Sequence, residues 1–268
     1  MNTVPRKRMA GLNRTAWNAV ASDWEKRVNT AIKPSYWNNG RSTLYPFEPK
    51  LLGPVRGKKL LHLMCGAGED SVSWAKLGAR VTGIDGAENR LAFARKRAEG
   101  AGVRIDFQRA DTMKLPFKAS SFDRVFAARG ITCWIPDMAK WAKEISRALK
   151  PGGKFLLVDG HPLTCIFEPR DNRTLYVRDD YFMNQPQRYG GWWFKVSKTG
   201  LPEKVEASWR ISDLVNSFHR AGMALEFMDE LPVNPGKRGV AGYDQPRWRG
   251  FIPHSIVLLW RKQGNGKQ

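Results

Sequence analysis

The stretch LLHLMCGAGED, Leu60 to Asp70, decides the fold. Its apolar run reads as a buried strand, and Cys65-Gly66-Ala67-Gly68 reads as a tight turn feeding the helix EDSVSWAKLG. Working outward, RVTGID is a second strand and AENRLAFARKRAEGAG an amphipathic helix. That helix has Leu91, Ala94 and Ala98 on one face and basic residues on the other. RIDFQRAD and FDRVFAA are the third and fourth strands. PDMAKWAKEISRALKPGG is a helix that begins at Pro136 and stops at Pro-Gly-Gly, and KFLLVDG is the fifth strand. Strand and helix alternating in this rhythm predict parallel strands with helical crossovers, an α/β doubly wound sheet.

Ahead of that core, TAWNAVASDWEKRV predicts a helix with Trp17, Val20, Ala21 and Trp24 on one side. Behind it, residues 161–208 break the rhythm with Tyr181, Phe182, Tyr189, Trp192, Trp193 and Phe194. The helix SWRISDLVNSFHRAG and the strands MALEFMDEL and IPHSIVLLW follow, completing a mostly parallel seven-stranded sheet.

The chain has 268 residues, 42% of them hydrophobic, which suits a folded protein with a sizeable core. No apolar run approaches the roughly 20 residues that span a bilayer. The basic N-terminus lacks an apolar core and a cleavage site, so the expected location is cytoplasmic. Cys65, Cys133 and Cys165 are too widely spaced for a disulfide framework or a metal site, and the expectation is no metal. The net charge is +20, and the first 60 residues hold 12 Lys/Arg against 3 Asp/Glu. Such a field can serve nucleic acid, but without a dense stripe it reads as solvated helix faces.

The chemistry sits at the strand ends, where open α/β sheets bind ligands. The second strand ends in Asp85, 17 residues beyond Gly68, where a carboxylate can accept both hydroxyls of a ribose. The third ends in Asp111, next to Thr112, where a carboxylate can accept from an adenine amine. A phosphate is disfavoured at the glycine turn. Ser71 occupies the third glycine position of a dinucleotide motif, and Glu69-Asp70 would repel an anion. A turn backed by carboxylates suits a nucleoside carrying a cation, and S-adenosylmethionine, with its sulfonium and ammonium, is such a ligand.

LLHLMCGAGED, VTGID, RAD, SFDRVFAARG and LKPGGKF, in this order across about residues 55–160, resemble the class I S-adenosylmethionine-dependent methyltransferases. More loosely, the chain resembles a bacterial small-molecule branch of that family, in its N-terminal WNxxAxxW-like helix, RSTLYPFE, TCWIPD and HP segments. Two positions depart from the common pattern: His62 stands where an acid is frequent, and Met64 where glycine is.

The resemblance implies a Rossmann-like fold with an N-terminal helical cap (1–54) and a methyltransferase domain (55–268), residues 161–208 forming a lid. It also implies that Cys65, Gly66, Ala67, Gly68, Glu69, Asp70, Asp85, Gly86, Asp111, Thr112 and Arg129 hold the cofactor or its product S-adenosylhomocysteine. Glu69 or Asp70 would face the ammonium, and Arg41 to Thr43 would close over the site. Trp134, Tyr181 and Trp192 are the acceptor-binding candidates, and His161, after strand five, is the general-base candidate. His62 reads as a buried support for the turn, and Cys65 as an inert small residue. ARGITCW after strand four lacks the Asn/Asp-Pro-Pro-aromatic motif of enzymes that methylate base nitrogens. The expected partner is therefore a small-molecule acceptor whose N, O, S or C nucleophile attacks the methyl in line. An RNA-directed methyltransferase and an inactive cofactor-binding regulator are the alternatives.

Overall fold

The structure, a computed structural model, describes residues 3–29, 32–169, 174–183, 185–189, 191, 192, 196, 199–232 and 252–264. Trp193 and Phe194 lie outside the described residues. Three helices come first: α1 (Arg6–Asn29), α2 (Pro34–Asn38) and α3 (Phe47–Leu52). The alternating run follows as β1 (Lys59–Leu63), α4 (Glu69–Lys76), β2 (Arg80–Asp85), α5 (Glu88–Gly100), β3 (Asp106–Arg109), β4 (Phe122–Ala128), α6 (Met138–Ala148) and β5 (Leu149–Gly160). Two short antiparallel pairs come next, β6 (Phe167–Pro169) with β7 (Leu175–Val177), and β8 (Gln187–Tyr189) with β9 (Lys204–Glu206). The helix α7 (Ile211–Arg220) and the strands β10 (Met223–Leu231) and β11 (Ser255–Lys262) end the fold.

Seven strands form one sheet in the order β3-β2-β1-β4-β5-β11-β10. Neighbours are parallel from β3 to β5, and β11 runs antiparallel to both β5 and β10. The chain winds outward from β1 to β3, then returns to β4 and winds the other way. The order reverses between β1 and β4, and the crevice beyond their carboxyl ends is where this architecture takes its ligand.

Both faces of the sheet are covered, so its central strands are apolar over most of their buried length, and alternate residues feed opposite cores. Leu61, Leu63, Phe155, Leu157, Ile256, Leu258 and Trp260 pack under α6 and α7 with Trp141, Ile145 and Phe218. Leu60, Phe126, Leu156, Val158, Val257 and Leu259 pack on the other face with Leu52, Trp74 and Tyr45. Because Leu52 and Tyr45 belong to this sheet-face core, it crosses the 54/55 boundary read from the sequence. The α6 helix opens one residue after Asp137, whose carboxylate accepts the Lys140 N–H at 2.9 Å.

The N-terminal helix runs longer than the periodicity predicts. Its Glu25 takes Arg97 of α5 in a buried ion pair at 2.8 Å, and its Asn18 side chain accepts the Asn89 N–H at 3.0 Å. Arg97 therefore faces inward, a correction to the reading that placed all the basic residues of α5 on the solvent side. The β8–β9 pair rests on the same helix, since the Asn13 amide donates to the Val205 carbonyl and accepts its N–H, both at 2.7 Å.

The glycine turn needs Gly68 on two counts. Its φ is +82°, and a Cβ there would lie 2.9 Å from the Ala94 Cβ and 3.0 Å from the Phe107 ring. Gly102 shares the left-handed φ, at +66°, with nothing within 4 Å. Gly68→Ala should therefore lose about 2–4 kcal/mol in urea unfolding, against about 1–2 for Gly102→Ala. Equal losses would contradict the close packing of α5 on the turn.

Candidate active site

The turn is built by the backbone before any side chain acts. Gly68 N–H closes it on the Cys65 carbonyl at 3.0 Å, and Gly66 takes a φ of +58°. Asp85, at the end of β2, ties two crossovers together. Its Oδ2 accepts the Gly66 N–H at 2.9 Å and its Oδ1 the Ala87 N–H at 2.8 Å. Each carboxylate oxygen keeps a second lone pair for a ligand hydroxyl.

Two cavities meet at this carboxylate. The larger, about 390 Å³, reaches from Cys65, Gly66, Glu69 and Arg90 past Arg129 to Glu206 and His254. The smaller, about 210 Å³, is lined by Gly86, Asp111, Thr112 and Met113 on one side and Asn13 and Arg14 of α1 on the other. Trp17, Met64, Asp85 and Trp134 belong to both walls. Met64 has the left-handed φ of 49°, which accounts for the glycine usual at that position.

Beyond β4, the backbone turn is anchored by Asp159. Its carboxylate accepts the N–H groups of Gly130, Ile131 and Thr132 and the Thr132 hydroxyl. Arg129 enters that turn at φ +74°, with its guanidinium turned into the protein. There it lies 2.8 Å from Glu48 and 3.0 Å from Asp70, which also accepts the Thr43 hydroxyl at 2.6 Å. The cluster is buried, and burial pushes the Glu48 carboxyl up to about 7, with Arg129 opposing the rise and Asp70 adding to it. His62, whose Nδ1 lies 2.7 Å from the Ser71 hydroxyl, is held down to about 4 by the same burial. Burial also raises the Cys65 thiol well above its ordinary range.

Several sequence expectations change here. Arg129 borders the larger cavity, but its charge is committed to Glu48 and Asp70, so it is no spare cation. Asp70 is equally committed; of the two acids offered for the ammonium, Glu69 holds only a longer ion pair, 3.7 Å from Arg97, and its buried Oε1 accepts no hydrogen bond. Ala67 and Gly68 line neither cavity, and the Ala67 carbonyl accepts from Arg97 instead. Asp111 is exposed and caps the Met113 N–H at 2.8 Å, and the Thr112 hydroxyl accepts from Trp141 at 2.9 Å. Thr43 reaches α4 rather than the cavity.

His161 is the clearest correction. Its Nδ1 accepts the Leu163 N–H at 3.1 Å, so Nε2 carries the proton toward Glu230, 2.8 Å away. The side chain is buried, lines neither cavity, and its pKa is lowered by burial against the opposing pull of Glu230. It cannot serve an acceptor in this arrangement. Trp134 borders both cavities. Trp192 lies behind the wall, 4.9 Å from Trp17, and the Tyr181 hydroxyl accepts the Ile211 N–H at 3.3 Å, away from the site. The sequence reading missed Trp17, Trp24, Tyr45, Arg90, Glu206 and His254 as wall residues. The seven-residue spacing of Trp17 and Trp24 on α1 was the available signal; the others carry none.

Residues 61–157 match the family model of a methyltransferase domain. The chain is 37% identical over 165 residues to methyltransferase GfsG of Streptomyces halstedii, covering 54% of this chain and 59% of that one. It is 34% identical over 153 residues to the 27-O-demethylrifamycin SV methyltransferase of Amycolatopsis mediterranei, covering 53% and 56%. The chain thus spans somewhat more than half the length of these relatives. Among solved structures it is similar to an S-adenosylmethionine-dependent methyltransferase from Mesorhizobium loti. The TM-score is 0.64 at 25% identity, over 82% of this chain and 98% of that one. Fold and site together are those of a doubly wound α/β domain whose two cavities meet at the strand ends, similar over residues 61–157 to a methyltransferase domain. The matched stretch and the shared fold agree with the methyltransferase resemblance carried by the sequence motifs.

The buried cluster makes a pH-dependent prediction. Glu48 is raised from 4.5 to about 7 on folding, so its contribution to stability is full below pH 4.5 and lost as pH rises through 7. His62 is lowered from 6.5 to about 4, so its contribution is present above pH 6.5 and lost as pH falls through 4. The two slopes oppose each other between these limits. The stability of wild type relative to Glu48→Gln should therefore fall between about pH 4.5 and 7 in urea titrations. A difference independent of pH would contradict the buried protonated carboxyl.

Proposed function

We propose that the protein binds S-adenosylmethionine across the two cavities and transfers its methyl group to a small-molecule acceptor. The observation that carries this reading is Asp85, a strand-end carboxylate standing in the wall common to both cavities. The residues present fit the cofactor. Asp85 retains lone pairs for a ribose, and the smaller cavity beside Thr112 takes a flat base. Glu69, 3.7 Å from Arg97, offers an ammonium a buried oxygen that accepts no hydrogen bond.

When bound, the cofactor supplies a methyl on a positively charged sulfur, which a nucleophile can attack in line. The protein contributes alignment and dryness. The backbone turn at Gly130 and Ile131, held by Asp159, forms the rigid floor between the strand ends. Trp17, Trp24, Trp134 and Tyr45 give the larger cavity its apolar wall, which excludes water and favours an acceptor with an apolar body. The relatives named for rifamycin and for demethylmenaquinone, the latter in Lactococcus lactis and 32% identical over 157 residues, support a small organic acceptor over RNA. The β8–β9 strands and α1 would act together as the lid, since Asn13 and Val205 join them. Among the described residues no helix is long and apolar enough to cross a membrane.

Calorimetry with S-adenosylhomocysteine tests the reading. Wild type should bind, and Asp85→Asn should lose about 1.5–3 kcal/mol, because a hydrogen bond to a charged acceptor is replaced by one to a neutral amide. Absence of binding by wild type, or equal affinity in the variant, would overturn it.

A further inference from the structure

Three arginines surround the glycine turn, and two of them are neutralised. Arg97 is paired with Glu25, and Arg129 with Glu48 and Asp70. Arg90, in the first turn of α5, is not. Its guanidinium forms no ion pair and no hydrogen bond among the described residues, and its Nε is buried without a hydrogen-bond partner. Its guanidinium carbon lies 4.4 Å from the centre of the Trp17 ring and 5.6 Å from that of Trp24. A cation–π contact of this kind uses no N–H group as a hydrogen-bond donor, so the guanidinium N–H groups remain for a ligand. The group also lies against the turn itself. A Cβ on Gly66 would sit 2.3 Å from Arg90 Nη2, so only glycine leaves room for it.

Across the turn, Glu69 presents the opposite charge, tied to Arg97 only by a longer ion pair of 3.7 Å, and the Arg90 and Glu69 side chains both line the larger cavity. A cation and an anion flanking one backbone turn complement a zwitterion, and the planar fork of Arg matches a carboxylate with two parallel hydrogen bonds. We propose that Arg90 binds the α-carboxylate of the cofactor's amino-acid end, opposite Glu69 at its ammonium. This rests on the cofactor reading above and assigns the residue that distinguishes the whole cofactor from a bare thio-nucleoside. Arg90 is thus a specificity residue on α5, placed by α1 through its two tryptophans.

The test compares two ligands by calorimetry. S-adenosylhomocysteine carries the amino-acid end, and 5′-deoxy-5′-methylthioadenosine shares the adenine, ribose and sulfur but lacks it. Arg90→Gln should weaken S-adenosylhomocysteine about tenfold or more while changing methylthioadenosine by less than about twofold, and Arg90→Lys should recover part of the loss. Thermal unfolding of each variant verifies that it folds. If Arg90→Gln leaves S-adenosylhomocysteine binding intact, the assignment is wrong. If both ligands weaken equally, Arg90 serves only to hold the Trp17–Trp24 wall, and the assignment is again wrong. Failure of wild type to bind either ligand would overturn the cofactor reading, and this proposal with it.

Discussion

The carboxylate of Asp85 is the point on which the site depends. It accepts one backbone N–H from the turn after β1 and one from the turn after β2, so a single side chain fixes the relative position of two crossovers. A charged acceptor holding two amides is stronger than either neutral bond would be. It also lines both cavities, and each of its oxygens accepts only one protein hydrogen bond. The same atoms that build the turn are, on the proposed reading, those that would take the ribose. The turn around it keeps that geometry: Gly66 takes a left-handed φ without strain and leaves the Arg90 guanidinium room beside it, and Gly68 lets α5 pack directly on it.

A second constraint reaches the site from the N-terminal segment. Arg129 enters at the switch point between β1 and β4, and its partners come from α3 and α4. The ion cluster therefore fastens the segment before the sheet to the floor of the larger cavity. Removing one member of such a buried set leaves an uncompensated charge, which costs about 3–5 kcal/mol. Glu25 and Arg97 repeat the device on the other side, joining α1 to α5 and to the Ala67 carbonyl. Through these two links, the helices that cover the cavities are coupled to the turn beneath them.

Much of this was legible in the sequence. The alternation of apolar residues from Leu60 to Val158 marks strands buried on both faces, and RVTGID ends at the very residue, Asp85, that the site requires. Such patterns are local, set by backbone periodicity and turn chemistry. What the sequence did not disclose depends on partners far along the chain. Arg97 looks like a solvent-facing base on α5 until Glu25, on α1, takes it inward. His161 follows strand five like a catalytic base, yet Glu230 on β10 and the Leu163 N–H claim both of its ring nitrogens. Arg129 and Asp70 each read as a cofactor contact; both border the larger cavity, with their charges paired to one another. Charges are steered by neighbours that only the fold supplies.

The most direct test of the account is a crystal structure of the protein soaked with S-adenosylhomocysteine. The account predicts one ligand spanning both cavities, its ribose hydroxyls on Asp85, its base beside Thr112 and its sulfur over the Gly130–Ile131 turn. A ligand confined to one cavity, or seated with its ribose out of hydrogen-bond reach of Asp85, would contradict it.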